Sequence, residues 1–242
     1  MEALEGFRVV ELASLVAGPF CTRLLADLGA EVIKVEPPGG DPARRRGPFP
    51  ADIPHPERSL LYIYLNANKK GVTLDLTTAT GQEILRRLAG LADALVEDWP
   101  PGVLDRLGLG DQVLREANPA LVHLALTPFG STGPYRDYRA TYLITTHMGG
   151  EGWVTPTGLA YHLFPEREPL KFGGHLGDYY CGATAAVALL GALLARRWGG
   201  LGQFVDVSKQ EAHLTTARRA IGIYANMGLL ETRTSRDHLF GG

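Results

Sequence analysis

Asp178 is the side chain best placed by type and neighbours to do chemistry. It stands between Gly177 and Gly182 at the front of a long apolar run, His175-Leu176-Gly177-Asp178-Tyr179-Tyr180-Cys181-Gly182-Ala183. Glycine lets other atoms approach the backbone closely. A helix N-terminus favours negative charge and keeps a carboxylate ionised, which is its nucleophilic form. Asp is also a preferred helix N-cap, so residue type alone makes capping the simpler role. Cys181 is a rival nucleophile, with His175 close in sequence. Its place in the first turn, against the apolar run, points instead to a buried core thiol. The histidines at 55, 123, 147, 162, 175, 213 and 238 are scattered, and none pairs with another at helical ligand spacing beside a carboxylate. No metal site is expected from them. His123, within an apolar strand, reads as a core histidine.

The elements that must position Asp178 follow a βα rhythm. Arg8 to Leu12 reads as a buried strand, and Gly18-Pro19 opens an amphipathic helix from Phe20 to Leu28. Gly29 ends that helix and Glu31 to Val35 is the next strand. Pro37 to Arg58 is a Pro- and Gly-containing loop with a basic run, Arg44-Arg45-Arg46. Leu60 to Leu65 and Val72 to Leu76 read as strands, Gly81 to Leu91 as a helix, and Ala94 to Glu97 as a strand. A short helix at Gln112 to Ala117 and a strand at Leu121 to Leu126 follow. Thr141 to Gly149 is helical, and Trp153 to His175 is a long loop without a convincing period. Tyr179 to Arg197 is a helix, Phe204 to Val207 a strand, and Lys209 to Met227 a helix. Repeated βα units with short apolar strands predict an α/β fold, a mainly parallel sheet covered by helices. The opening β-turn-α resembles a dinucleotide-binding start, and Glu36 sits where a ribose-binding acid often lies. The turn Ala13-Ser14-Leu15-Val16-Ala17-Gly18-Pro19 lacks the Gly-x-Gly-x-x-Gly pattern, so Glu36 reads instead as a strand-end or loop-contact residue.

Bulk composition bounds the rest. The chain has 242 residues, 45% apolar and 21% charged, an ordinary globular balance. A net charge of −2 gives no reason to expect nucleic acid or an anionic membrane as partner. Two cysteines in a chain of this length make no disulfide framework and suit a reduced, cytoplasmic setting. The apolar stretch from Ala183 to Ala195 is shorter than the ~20 residues of a spanning helix and reads as a buried core helix.

Taken in order, these segments resemble the family III coenzyme A transferases. The pieces are Val9-Val10-Glu11-Leu12, Val16-Ala17-Gly18-Pro19, Leu28 to Glu36, and Asn66-Ala67-Asn68-Lys69-Lys70. Val96 to Leu104, Phe129-Gly130 with Gly133-Pro134, Gly177-Asp178, and Gly200 to Ser208 complete the series. The resemblance implies a large Rossmann-like domain, here residues 1–225, with 226–242 starting a linker toward a small domain that is largely missing. It implies two chains interlocked as rings, a homodimer or a complementing chain. It also implies transfer of coenzyme A between carboxylic acids, with acyl-CoA and an acceptor acid as substrates and no permanently bound cofactor. Asp178 matches the family's nucleophile. It would attack the acyl-CoA carbonyl to give an acyl-aspartyl anhydride, and CoA would return to form an aspartyl-CoA thioester.

The implied coenzyme contacts carry over residue by residue. Lys69 matches a lysine near the phosphates. Asp98, Trp99 and Arg106 fall where the family has Asn, an aromatic and Arg around the nucleotide, and Arg44 could reach phosphates by charge. Asp98 departs from the family's Asn, and Val16 stands where one branch has a catalytic Gln. The family also contains α-methylacyl-CoA racemases, whose partner histidine aligns with Ala140, with His147 nearby but out of register. Transferase is therefore the expected activity, with racemase or a truncated CoA-binding subunit as alternatives. The loop from Trp153 to Lys171 is expected to shape the acyl pocket.

Overall fold

A computed structural model describes residues 2–155, 162–216 and 218–230. Six strands form one sheet: β1 (Arg8–Glu11), β2 (Glu31–Glu36), β3 (Lys69–Thr73), β4 (Ala94–Glu97), β5 (Val122–Thr127) and β6 (Phe204–Ser208). Their order is β3-β2-β1-β4-β5-β6, and every pairing is parallel. The order reverses between β1 and β4, the topological switch that opens a crevice beyond the carboxyl ends of these strands.

Helices cover both faces. They are α1 (Ala17–Asp27), α2 (Leu60–Leu65), α3 (Ala79–Gly90), α4 (Val103–Arg106), α5 (Asp111–Ala117) and α6 (Tyr142–Met148), then α7 (Leu176–Gly199), α8 (Lys209–Leu214) and α9 (Arg218–Met227). The strand period of two divides the core. Val9 and Val96 join α1 and α7 on one face, through Cys21, Leu25, Ala185 and Leu189. Val10 and Leu95 join α3, α4 and α5 on the other, through Leu85, Leu104 and Leu114. Burial on both faces explains why the central strands β1, β4 and β5 read as mainly apolar runs without alternation.

Gly182 sets how closely α7 packs on α1. A Cβ there would lie 2.5 Å from the Ala17 carbonyl oxygen. Gly29 ends α1 with φ of 99°, a left-handed conformation that favours glycine.

Several expected elements differ. Leu60–Leu65 is helix α2, not a strand. Ser59 caps it, its Oγ accepting from the Tyr62 N–H, and the same hydroxyl donates to the Ala43 and Arg46 carbonyls. A short apolar run carries no period that separates strand from helix, and here the capping serine decides. Strand β3 begins at Lys69 rather than Val72, pairing Lys69 with Val32. The turn of α4 was not expected. The segment from Lys209 to Met227 forms two helices rather than one. α7 begins at Leu176, not Tyr179, and buries only one face. Val187, Leu194 and Trp198 are exposed, so it is half core helix and half surface. It is also the one described helix long and apolar enough to cross a membrane.

Candidate active site at the carboxyl edge of the sheet

Each parallel strand delivers its following residue to the same edge. Ser14 and Leu15 follow β1, Asp98 follows β4, and Lys209 follows β6 directly. α7 brings Asp178 to the same place in its first turn. Lys209 Nζ stands 3.7 Å from Asp178 Oδ1, and His175 Nδ1 stands 3.5 Å from Asp178 Oδ2.

Asp178 does not cap its helix. His175 occupies the cap position without a side-chain cap bond, and Asp178 lies two residues past the first helical residue. The capping role expected from residue type is therefore corrected. Asp178 is 13% exposed, and among the described residues its carboxylate has only the two long ionic contacts above. The helix N-terminus adds to its charge stabilisation, by roughly 0.3–1 kcal/mol in typical settings. Gly177 serves packing: a Cβ there would lie 2.3 Å from His213 Cε1 and from Tyr142 Cε2. Its N–H donates to Tyr142 Oη at 3.2 Å. The glycines around Asp178 thus admit this chain's own atoms.

Asp98 lies one step further along the edge. Its carboxylate accepts the Ser14 N–H at 3.0–3.1 Å. Burial raises its pKa to about 6, against the opposing charge of Lys209. Next to it, Glu97 is raised to about 8, first by burial and then by the like charges of Asp98, Asp105 and Asp206. The Leu15 N–H, in a left-handed conformation with φ of 60°, donates to Asp41 Oδ1. The Ser14 and Leu15 amides of the β1–α1 turn are thus taken by carboxylates of the chain itself.

Ser14 also borders a cavity of about 490 Å³, with Leu12, Leu74, Thr77 and Trp99 among its walls. Its charged lining is acidic, from Glu36, Asp41 and Asp75, and among the described residues no lysine or arginine lines it. Trp99 lies between cavity and core, lining the cavity and packing on the core. Arg106 ends α4, whose Val103 and whose C-cap Leu107 also line the cavity. Its guanidinium is exposed and folds back over Gly102, whose Cβ would lie 3.5 Å from Nη1.

Two of the expected coenzyme contacts have other partners. Lys69 Nζ donates to Glu11 Oε2 at 2.8 Å, Pro19 O at 2.8 Å and Asn66 Oδ1 at 3.0 Å, with the side chain 2% exposed. All three ammonium protons are engaged inside the protein. Arg44 binds both oxygens of Glu36, pairs with Glu57, and stacks 3.8 Å over the Tyr62 ring. Glu36 is accordingly the loop-contact residue its sequence position suggests. It accepts from Arg44, the Tyr62 hydroxyl and the Asp41 N–H, which together outweigh burial and hold it near 2. So Trp99 lines the cavity, Asp98 holds Ser14 at its border and Arg106 ends the helix that supplies Val103 to its wall, while Lys69 and Arg44 are held by Glu11 and Glu36.

Cys181 is fully buried beneath Asp178, and burial raises its thiol pKa to about 12. That is a core thiol, as expected. His123 packs edge-on against Phe204 and meets Asp111 at 3.2 Å. His147 meets its own helix at the Leu143 carbonyl. Residues 156–161 of the long loop after Trp153 fall outside the described residues.

Sequence reasoning missed Lys209. The available signal was its position, first after an expected strand in a sheet whose active edge is defined by strand ends.

Residues 4–239 match the family model for CoA-transferase family III. The chain belongs to this family. It is 40% identical to the succinyl-CoA–D-citramalate CoA-transferase of Chloroflexus aurantiacus, over 96% of this chain and 55% of that protein. It is 38% identical to a formyl-CoA:oxalate CoA-transferase of Streptomyces avermitilis, over 90% of this chain and 50% of that protein. The crystal structure of a CaiB/BaiF family protein from Brucella suis superposes with a TM-score of 0.86 at 33% identity. That match covers 96% of this chain and 60% of the other. The family III chain described here therefore spans about half the length of the curated relatives it matches.

Proposed function

We propose that this chain carries the nucleophilic half of a coenzyme A transferase acting between carboxylic acids, with Asp178 as the covalent nucleophile. The observation behind this reading is a carboxylate with no hydrogen bond among the described residues, held by two long ionic contacts in the first turn of a helix.

The steps balance without an external acid or base. An Asp178 oxygen attacks the thioester carbonyl of acyl-CoA, a C–O bond forms, the C–S bond breaks, and CoA leaves as thiolate. The thiolate attacks the Asp178 γ-carbon of the anhydride and releases the donor acid as carboxylate. An acceptor carboxylate then attacks the aspartyl thioester and expels the thiolate. Finally the thiolate attacks the acceptor's carbonyl carbon and returns Asp178 as carboxylate. Splitting one exchange into such steps lowers each barrier.

For the coenzyme, the cavity beside Trp99 offers an apolar and aromatic wall, and Arg106 is the exposed cation nearest it along α4. Lys69 and Arg44 contribute by shaping the β1–α1 and β2–α2 regions, and Asp98 by holding the turn at Ser14. A second chain completes the site in this reading, through a surface that includes the exposed face of α7.

The test is mass spectrometry of proteolysed chain after incubation with acyl-CoA. A mass increase confined to the peptide bearing Asp178, absent in Asp178→Asn, is expected. CoA binding without any adduct at Asp178 overturns the covalent reading.

A further inference from the structure

Lys209 differs from the other interior lysines. Lys34 and Lys69 are each 2% exposed and hold carboxylate and carbonyl oxygens at 2.7–3.0 Å. The Lys209 side chain is 19% exposed, and among the described residues its ammonium makes no hydrogen bond. Its nearest ionic partner is Asp178, at 3.7 Å. The other carboxylate in its field, Asp98, already accepts the Ser14 N–H with both oxygens. Lys209 is the first residue of α8, whose cap Ser208 ends β6, so its backbone is fixed by the sheet rather than by a loop.

A cation in this position keeps its nearest counter-ion only while Asp178 is ionised. When Asp178 is an anhydride or a thioester its charge is gone, and the ammonium is left partly desolvated beside the reacting carbon. A carboxylate arriving to attack that carbon restores the pair, with one oxygen on the carbon and the other toward Nζ. We infer that Lys209 is the acceptor-binding residue, pairing with Asp178 at rest and with the carboxylate of the incoming acid once Asp178 is acylated. This rests on Asp178 as nucleophile for its timing, and on Lys209 alone for carboxylate binding. In the attack step the acceptor's C–O bond to the aspartyl carbon forms, the C–S bond breaks, and CoA leaves as thiolate. Lys209 keeps its proton throughout.

Asp178→Asn imitates the uncharged state. Carbon-13-labelled succinate, titrated into the full chain and followed by NMR, reads carboxylate binding without turnover. Succinate is expected to bind Asp178→Asn about tenfold more tightly than wild type, one contact's worth of charge repulsion removed. Adding Lys209→Met should abolish the gain, and adding Lys209→Arg in its place should keep it within about threefold. Equal binding by Asp178→Asn with and without Lys209→Met overturns the assignment. So does loss in the arginine variant as well, which would trace the effect to packing, or no gain in Asp178→Asn at all. The two readings fail separately. A missing adduct at Asp178 with this binding pattern intact removes the nucleophile and leaves the carboxylate site.

Discussion

Two ionic groups lie close together in this protein and are built on opposite terms. Under β1, Glu11, Lys34, Lys69 and Asp41 form a neutral, almost fully buried set. Glu11 receives Lys34 at 2.7 Å, Lys69 at 2.8 Å and the Thr22 hydroxyl at 2.6 Å. Burial pushes its pKa up, but the two lysines hold it down to about 2. At the sheet's carboxyl edge, Asp178 and Lys209 are also ionic and largely covered, with the His175 ring beside them, yet the contacts are 3.5–3.7 Å. The first group has every donor committed and fixes the ends of β1, β2 and β3. The second leaves both charges able to exchange partners. A saturated network sets position, and an unsaturated one can react.

That contrast can be broken by substitution, beginning with the largest effect. Glu11→Gln leaves two buried ammoniums without their shared carboxylate, and chemical denaturation should show a loss of about 3–5 kcal/mol. A loss below about 1 kcal/mol would mean the cluster is solvated and not the anchor described. Gly177→Ala drives a methyl into His213 and Tyr142, and should cost about 1–3 kcal/mol while shifting Asp178. Its adduct yield should fall more than its stability does.

Glu97→Gln tests the edge by pH. The folded chain keeps the Glu97 proton to about pH 8, whereas the unfolded chain loses it near 4.5. Its stabilisation is therefore complete below about pH 4.5 and is lost as pH rises toward 8. Glu97→Gln should melt about 2–4 °C above wild type at pH 8 and converge with it at pH 5. An unchanged slope would show that another group titrates. The smallest effect is expected from Lys209→Met, within about 1 kcal/mol of wild type in denaturation. A loss as large as that of Glu11→Gln would make the two groups alike and erase the distinction.

Much of the frame was legible in the sequence because buried parallel strands announce themselves. β1, β2, β4, β5 and β6 are short, apolar and bounded by turn residues, and each was expected within a residue or two at either end. Leu60–Leu65 was not, because six apolar residues fit either element and Ser59, outside the run, makes the choice. The Asp178 position was legible through its motif, but its chemistry was not. Whether it caps or stands free depends on where α7 begins, and end residues carry the weakest local signal. Lys209 was invisible as a partner because only the seating of β6 beside β5 brings it to Asp178. Lys69 and Arg44 show the converse. The family resemblance suggested phosphates for Lys69 and charge suggested them for Arg44, and their neighbours Glu11 and Glu36 could not be read as partners from spacing alone.

The β1–α1 turn has a consequence for which ligands this fold refuses. In dinucleotide-binding sheets the corresponding amides and helix start hold a pyrophosphate. Here Ser14 and Leu15 give those amides to Asp98 and Asp41, so negative charge already stands where an incoming diphosphate would settle. The chain carries its own occupant in that seat. The backbone that holds a pyrophosphate in dinucleotide-binding sheets is here bonded to the chain's own carboxylates.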